Sequence, residues 1–297
     1  MKNFLLIGAA GYIAPRHMRA IRETGNNLLA ALDPHDSVGV LDNNFPGAQF
    51  FTEFERFDRY CDKVKRKGTA IDYLSVCSPN YLHDAHIRFG LRIGADVICE
   101  KPVVLNPWNV DALLEMEKET GRKVYSILQL RLHPAIMALK NKIDTTNHTA
   151  KYQVDLQYIS ARGNWYLNSW KGEEAKSGGI ATNIGLHFFD MLLWIFGDVT
   201  RLNVTTYSPV KTAGTLELEK AQVNWTMSID ENDLPVSVRE KGQRTFRAMT
   251  INGDPLDFSE GFEELHTKSY EAILSGHGIP LEETRKGIQL VHDIRRV

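Results

Sequence analysis

The sequence predicts an α/β protein of two units: an N-terminal Rossmann unit with a doubly wound parallel sheet, then an α+β unit with a large, mostly antiparallel sheet. Three observations carry this. Through the first third, short apolar runs alternate with helical patterns, as βαβ units require. A glycine-containing turn follows the first of those runs. Beyond residue 128 the runs lengthen and alternate with the two-residue period of strands that bury one face. A length of 297 residues is about two ordinary domains, and the expected division is 1–128 and 129–297.

The elements follow in order. Residues 4–7 are the expected first strand, with a helix near 15–23 behind it, and 28–32 read as a second strand ending at Asp33. A third unit is less regular. Residues 73–77 and 96–99 read as buried strands, 81–93 and 107–120 as helices, and 123–128 as the strand completing the sheet. Strands are expected over 152–160, 202–207, 215–219, 221–229 and 245–252. A helix over 180–196 is inserted among them, and two more, over 262–274 and 282–296, close the chain.

Composition removes whole classes of partner. Lysine and arginine total 35 against 37 acids, with no basic block, so nucleic acid is not an expected partner. No apolar run approaches the roughly 20 residues that span a bilayer, so no membrane partner is expected. Cys61, Cys77 and Cys99 form neither C-x-x-C nor a Cys/His pair at zinc spacing. That points to a reduced, cytoplasmic setting and no metal.

The stretch Gly8-Ala9-Ala10-Gly11-Tyr12-Ile13 lies where a dinucleotide loop aims helix N-terminal amides at a diphosphate. Its spelling is degenerate: Ala10 and Ile13 replace the second and third glycines of G-x-G-x-x-G. Alone, it is balanced between a nucleotide loop and an ordinary tight turn. Asp33 tips the balance, because an acid at the end of the second strand bonds the adenosine ribose hydroxyls and repels a 2′-phosphate. The expected cofactor is therefore NAD; the plainer alternative is that Asp33 only starts a turn with Pro34.

Ser78-Pro79-Asn80, His83, Gly94 and Asp96-Val97-Ile98-Cys99-Glu100-Lys101-Pro102 resemble the N-terminal domain of the glucose-fructose oxidoreductase, inositol dehydrogenase and rhizopine catabolism family. Its members carry P-N-x-x-H and E-K-P elements at the nicotinamide end. Gly178 to Asp190 is similar to the family's G-G-x-x-x-D-x-G-x-H-x-x-D helix, with Asn183 where aspartate is usual, which weakens an Asp-His proton relay. On a regular helix Asn183, His187 and Asp190 fall within about 60° of one another and share a face. Arg162-Gly163-Asn164-Trp165-Tyr166 through Trp170-Lys171-Gly172 is similar to the branch that acts on UDP-N-acetylglucosaminuronate.

That resemblance implies oxidation of the sugar C3 hydroxyl to a ketone, ahead of a separate aminotransferase in bacterial O-antigen synthesis. It allows 2-oxoglutarate as the acceptor that regenerates NAD in place, and implies a homo-oligomer, dimer or tetramer. Two alternatives stay open: a dehydrogenase of a free sugar or inositol, and a non-catalytic NAD-binding sensor.

Oxidising an alcohol needs a base for its proton. Lys101 and His187 are the candidates, with their individual roles open; contributed by separate halves of the chain, they are expected to converge beside C4 of the nicotinamide. A lysine partly desolvated near that positive ring is expected to lose its proton more readily. Gly8, Ala10, Gly11, Tyr12, Ile13, Asp33, Ser78, Asn80, His83, Glu100 and Lys101 are the expected cofactor contacts. Lys101, Arg131, Arg162, Trp165, Tyr166, Asn183 and His187 are the expected substrate contacts. Arg131 is the first choice for the sugar carboxylate, Arg162 and Lys171 the next, because a carboxylate and two phosphates need cations. The plainer readings are a surface ion pair for each arginine, a core role for the aromatics, and a local tether for His83 and Asp190.

Overall fold

The computed structural model describes residues 1–146, 150–258 and 261–296. It divides into two compact units, Met1–Ile127 with Glu263–Arg285, and Leu128–Phe262 with Lys286–Val297. The division near residue 128 is where the strand pattern changes. Glu263–Arg285, expected in the second unit, lies with the first.

The first unit runs β1 (Asn3–Ile7), α1 (Ala14–Glu23), β2 (Asn27–Leu32), α2 (Val40–Asn44), β3 (Gln49–Phe51), α3 (Phe54–Arg66), β4 (Tyr73–Val76), α4 (His83–Arg92), β5 (Asp96–Cys99), α5 (Pro107–Thr120) and β6 (Val124–Ser126). Its six strands are all parallel in the order β3-β2-β1-β4-β5-β6. The order reverses between β1 and β4, and the crevice at the C-terminal ends of those strands is where such sheets take ligands. Strands covered on both faces read as unbroken apolar runs, which is why Phe4, Leu5, Leu6 and Leu74 are buried. The helix expected from residue 81 begins with a tighter turn at Asn80–Leu82.

The second unit contains α6 (Pro134–Thr145), β7 (Tyr152–Ser160), α7 (Asn164–Leu167), α8 (Glu174–Ser177), α9 (Leu186–Phe196), β8 (Val199–Tyr207), β9 (Lys211–Leu218), β10 (Ala221–Ser228), α10 (Val236–Glu240), β11 (Thr245–Ile251) and β12 (Asp254–Pro255). The helices α11 (Leu265–Leu274) and α12 (Leu281–Ile294) close the chain. The sheet order is β12-β11-β7-β10-β9-β8, antiparallel except for the parallel pair β7–β10.

The expected helix over 180–196 is two pieces, a π-turn at Ala181–Gly185 and then α9. Their side chains pack on the sheet, as where Phe189 meets Trp225 edge-on at 5.1 Å. Glu174–Phe196 is long and apolar enough by length and composition to cross a bilayer, which corrects the reading that no run approaches that length. Its apolar window is 67% buried inside the protein, so the protein's own core meets the demand that the composition makes.

Candidate functional site

The loop after β1 is shaped by its neighbours before any ligand is considered. Gly8 has φ of 92°, and a Cβ there would stand 2.5 Å from the Cys77 carbonyl carbon and the Ser78 nitrogen, so only glycine fits. Its N–H donates to the Leu32 carbonyl at 2.8 Å, and Gly11 donates to Gly8 at 3.1 Å. Asp33, at the end of β2, accepts from the Ala10 N–H and the His35 N–H, each at 2.9 Å. The acid thus both starts the turn with Pro34 and braces the loop.

Among the described residues the N–H groups of Tyr12 and Ile13 meet no acceptor. Helix α1 has no side-chain cap and no acid in its first turn. Open amides at the positive end of a helix dipole are what an anionic diphosphate requires, so these residues fit a dinucleotide. Tyr12 itself is 87% exposed.

At the end of β5, Glu100 is buried and turned inward. Its Oε1 accepts from His17 Nε2 at 2.9 Å and His266 Nε2 at 3.0 Å. Burial alone would raise its pKa; the two imidazoles outweigh that and hold the carboxyl well below the usual range. His17, buried on α1, is pushed below the ordinary histidine value by desolvation, against the pull of Glu100. His83 is 1% exposed, and its ring nitrogens each stand 2.7 Å from a carbonyl oxygen, those of Pro102 and Ser78. A neutral ring donates to only one of them at a time. Both side chains, expected to touch the cofactor, make these hydrogen bonds to protein groups, because a buried polar group must find partners. Ser78 Oγ pairs with His86 Nδ1 at 2.8 Å, and Asn80 is buried beside it on the turn after β4.

In the second unit Arg131, the first choice for the sugar carboxylate, donates from Nε and Nη2 to the two oxygens of Asp190 at 2.9 and 2.7 Å, with both residues buried. It is an internal ion pair, and Asp190 is turned into the core. Asn183 lies in the π-turn, which ends at Gly185, and His187 and Asp190 follow it in α9. Asn183 Nδ2 donates to the Tyr166 hydroxyl at 2.6 Å. His187 is half-buried in the first turn of α9.

Four of the expected substrate residues do gather around α7. Trp165 is 54% exposed, and the Lys171 ammonium lies 5.2 Å from its ring centroid and 5.6 Å from that of Trp170. Desolvation lowers the Lys171 pKa, and the neighbouring Arg162 charge lowers it further. Neither cation has a carboxylate partner among the described residues. Two unbalanced positive charges beside an exposed indole and a buried phenol make a place for an anionic, ring-bearing ligand. Sequence reasoning missed His17, His266, Ser75 and Tyr270, which carry no motif; the only signal is a histidine on the apolar face of α1.

The switch-point crevice and the open amides of α1 define a dinucleotide-binding protein of Rossmann type. Residues 2–127 match the family described as "Oxidoreductase family, NAD-binding Rossmann fold", and residues 149–230 its "C-terminal alpha/beta domain". The chain belongs to this oxidoreductase family, Gfo/Idh/MocA. It is 47% identical to the WlbA (WbpB) dehydrogenase from Thermus thermophilus solved with NAD and alpha-ketoglutarate, with a TM-score of 0.96 over 100% of this chain and 96% of that one. The same dehydrogenase solved with NAD and UDP-GlcNAcA matches at 46% identity and a TM-score of 0.96, over 100% and 95% of the two chains. D-glucoside 3-dehydrogenase of Escherichia coli (strain K12) is 23% identical over 68% of this chain and 56% of its own length. The chain thus spans about half the length of the curated relatives it matches.

Proposed function

We propose that this protein uses NAD to oxidise the C3 hydroxyl of UDP-N-acetylglucosaminuronic acid to the 3-keto sugar, for bacterial O-antigen and lipopolysaccharide sugars, and that 2-oxoglutarate regenerates the cofactor in place. The observation that carries the reading is identity at 47% across the whole chain to a dehydrogenase solved with NAD and alpha-ketoglutarate. Arg162 and Lys171 beside Trp165, neither with a carboxylate partner among the described residues, support an anionic sugar nucleotide over free inositol.

NAD, when bound, supplies the acceptor for the hydride that leaves C3. The N–H groups of Tyr12 and Ile13 hold the diphosphate, and Asp33 the adenosine ribose. Asn183, oriented by Tyr166, bonds a sugar hydroxyl; Arg162 and Lys171 take the carboxylate and the UDP phosphates. The proton of the C3 hydroxyl passes to Lys101 or His187 as the hydride departs. In the return half, the same acid gives a proton to the ketone oxygen of 2-oxoglutarate as it is reduced to the hydroxy acid. On this reading the protein works in the cytoplasm as a homo-oligomer; its three cysteines, all buried free thiols, agree with a reducing compartment.

Thermal-shift titration with UDP-N-acetylglucosaminuronate, UDP-N-acetylglucosamine, free glucuronate and inositol tests the substrate class. Stabilisation by the first and far less by the others is expected. Equal stabilisation by inositol would transfer the reading to a free-polyol dehydrogenase.

A further inference from the structure

A buried chain of hydrogen bonds in the first unit is left unused by the chemistry proposed above. Ser75 Oγ meets the Tyr270 hydroxyl at 2.6 Å, that hydroxyl meets His17 Nδ1 at 2.7 Å, and His17 and His266 converge through Nε2 on Glu100. The carboxylate only accepts, so both imidazoles donate through Nε2. His17 Nδ1 then accepts from Tyr270, and Tyr270 accepts from Ser75. One proton register runs the length of the chain, and it carries a net negative charge on Glu100.

The three ligating atoms of His17, Glu100 and His266 lie within 4.8 Å of one another, as a metal would need. Their N···O separations of 2.9 and 3.0 Å are hydrogen-bond distances, however, and the cluster is complete without an ion. A staple for α11 explains it poorly as well. Apolar side chains of the same volume would hold that helix without the several kcal/mol that burying a charge typically costs. What an apolar staple could not do is accept the Lys101 N–H, which points at Glu100 Oε2 from 3.3 Å. The carbonyl of Pro102, on the other side of Lys101, is held by His83.

We propose that Glu100 is a positioning residue: clamped between His17 and His266, its carboxylate fixes the main chain of Lys101 and sets a buried negative charge against the backbone from which the Lys101 ammonium extends. This rests on the reading of Lys101 as a group at the reacting hydroxyl. Helix α11, through His266, thereby takes part in positioning Lys101 within the first unit.

The test uses NAD-loaded protein with ¹³C-methylated lysines, the Lys101 signal assigned by its loss in K101R, and follows its pH titration beside kcat and NAD affinity. E100Q should move the Lys101 titration to lower pH by about one unit and lower kcat by about 10- to 100-fold, with NAD affinity within about twofold of wild type. H266L should reproduce part of the fall in kcat, and H266Q, whose amide N–H stands in for the imidazole Nε2–H, should restore it; that pair carries the comparison if E100Q does not fold. An unmoved titration with wild-type kcat in E100Q and H266L would overturn the proposal, as would H266Q impaired equally with H266L. If wild-type protein ignores UDP-N-acetylglucosaminuronate while E100Q still moves the titration, the substrate reading fails and the role of Glu100 stands.

Discussion

Arg131 and Asp190 share two charge-assisted hydrogen bonds in a buried setting, and removing one member of such a pair typically costs about 3–5 kcal/mol because the other charge is left unpaired. Arg131→Ala should therefore lower Tm by roughly 10 °C at about 2–4 °C per kcal/mol. Arg162→Ala and Lys171→Ala should leave Tm nearly unchanged and weaken UDP-sugar binding about 10-fold or more each. Calorimetry and titration of the three variants separate these outcomes; a stable Arg131→Ala that has lost the sugar nucleotide would return Arg131 to the substrate. Histidine protonation gives a second handle. Burial lowers the pKa of His17, His83 and His86, the last to about 4. The unfolded chain binds protons at these rings near 6.5 while the native unit does not, so their contribution is complete above pH 6.5 and is lost as pH falls toward 4. Melting curves across that window should show Tm declining steadily, and a flat Tm would remove the assignment. Lys101 and His187 are proposed because a motif names them. His17 and His266 were not, since their shared partner Glu100 lies 83 and 166 residues away in sequence.

At the scale of elements, periodicity places α5 and β7 with the bounds that the structure has, because an amphipathic period is a local property. It also hides what is not periodic. The π-turn Ala181–Gly185 carries no mark of its own in the sequence; within the single helix expected there, Asn183 meets Tyr166 and Asp190 meets Arg131. Helix α6 was not expected, although Pro134 in its first turn and the His133 side chain, accepting from the Ala135 N–H, are ordinary start signals. The loop after β1 was legible in position but not in mechanism, since a degenerate spelling leaves its second and third glycines to Ala10 and Ile13. What the structure adds is that Gly8 is irreplaceable: Gly8→Ala would press a Cβ into the Cys77–Ser78 backbone at a positive φ. Loss of about 1–3 kcal/mol of stability and of most NAD affinity is expected, by melting and by fluorescence titration of NADH. Wild-type NADH binding in that variant would contradict the loop's assignment.

At the scale of the whole molecule, the return of Glu263–Arg285 to the first unit is the feature that linear reading could not supply. An amphipathic helix announces that it has a partner, not which one. Here Tyr270 and Ile273 join the core of Phe4, Met18 and Leu28, and Tyr270 stacks on Phe4 at 5.8 Å between ring centroids. Residues 1–128 expressed alone should therefore be poorly folded by near-ultraviolet circular dichroism, and Tyr270→Ala in the full chain should cost about 3–5 kcal/mol. A cooperative, stable fragment 1–128 would contradict this view of the core. Everything proposed for the site depends on hydride transfer in the intact protein. Its most direct measurement is NADH absorbance after purified protein with bound NAD is mixed with UDP-N-acetylglucosaminuronate and then with 2-oxoglutarate. A rise on the first addition and a fall on the second are expected, with neither in an NAD-loaded Lys101→Met variant. No rise with the sugar nucleotide, or undiminished turnover without Lys101, would contradict it.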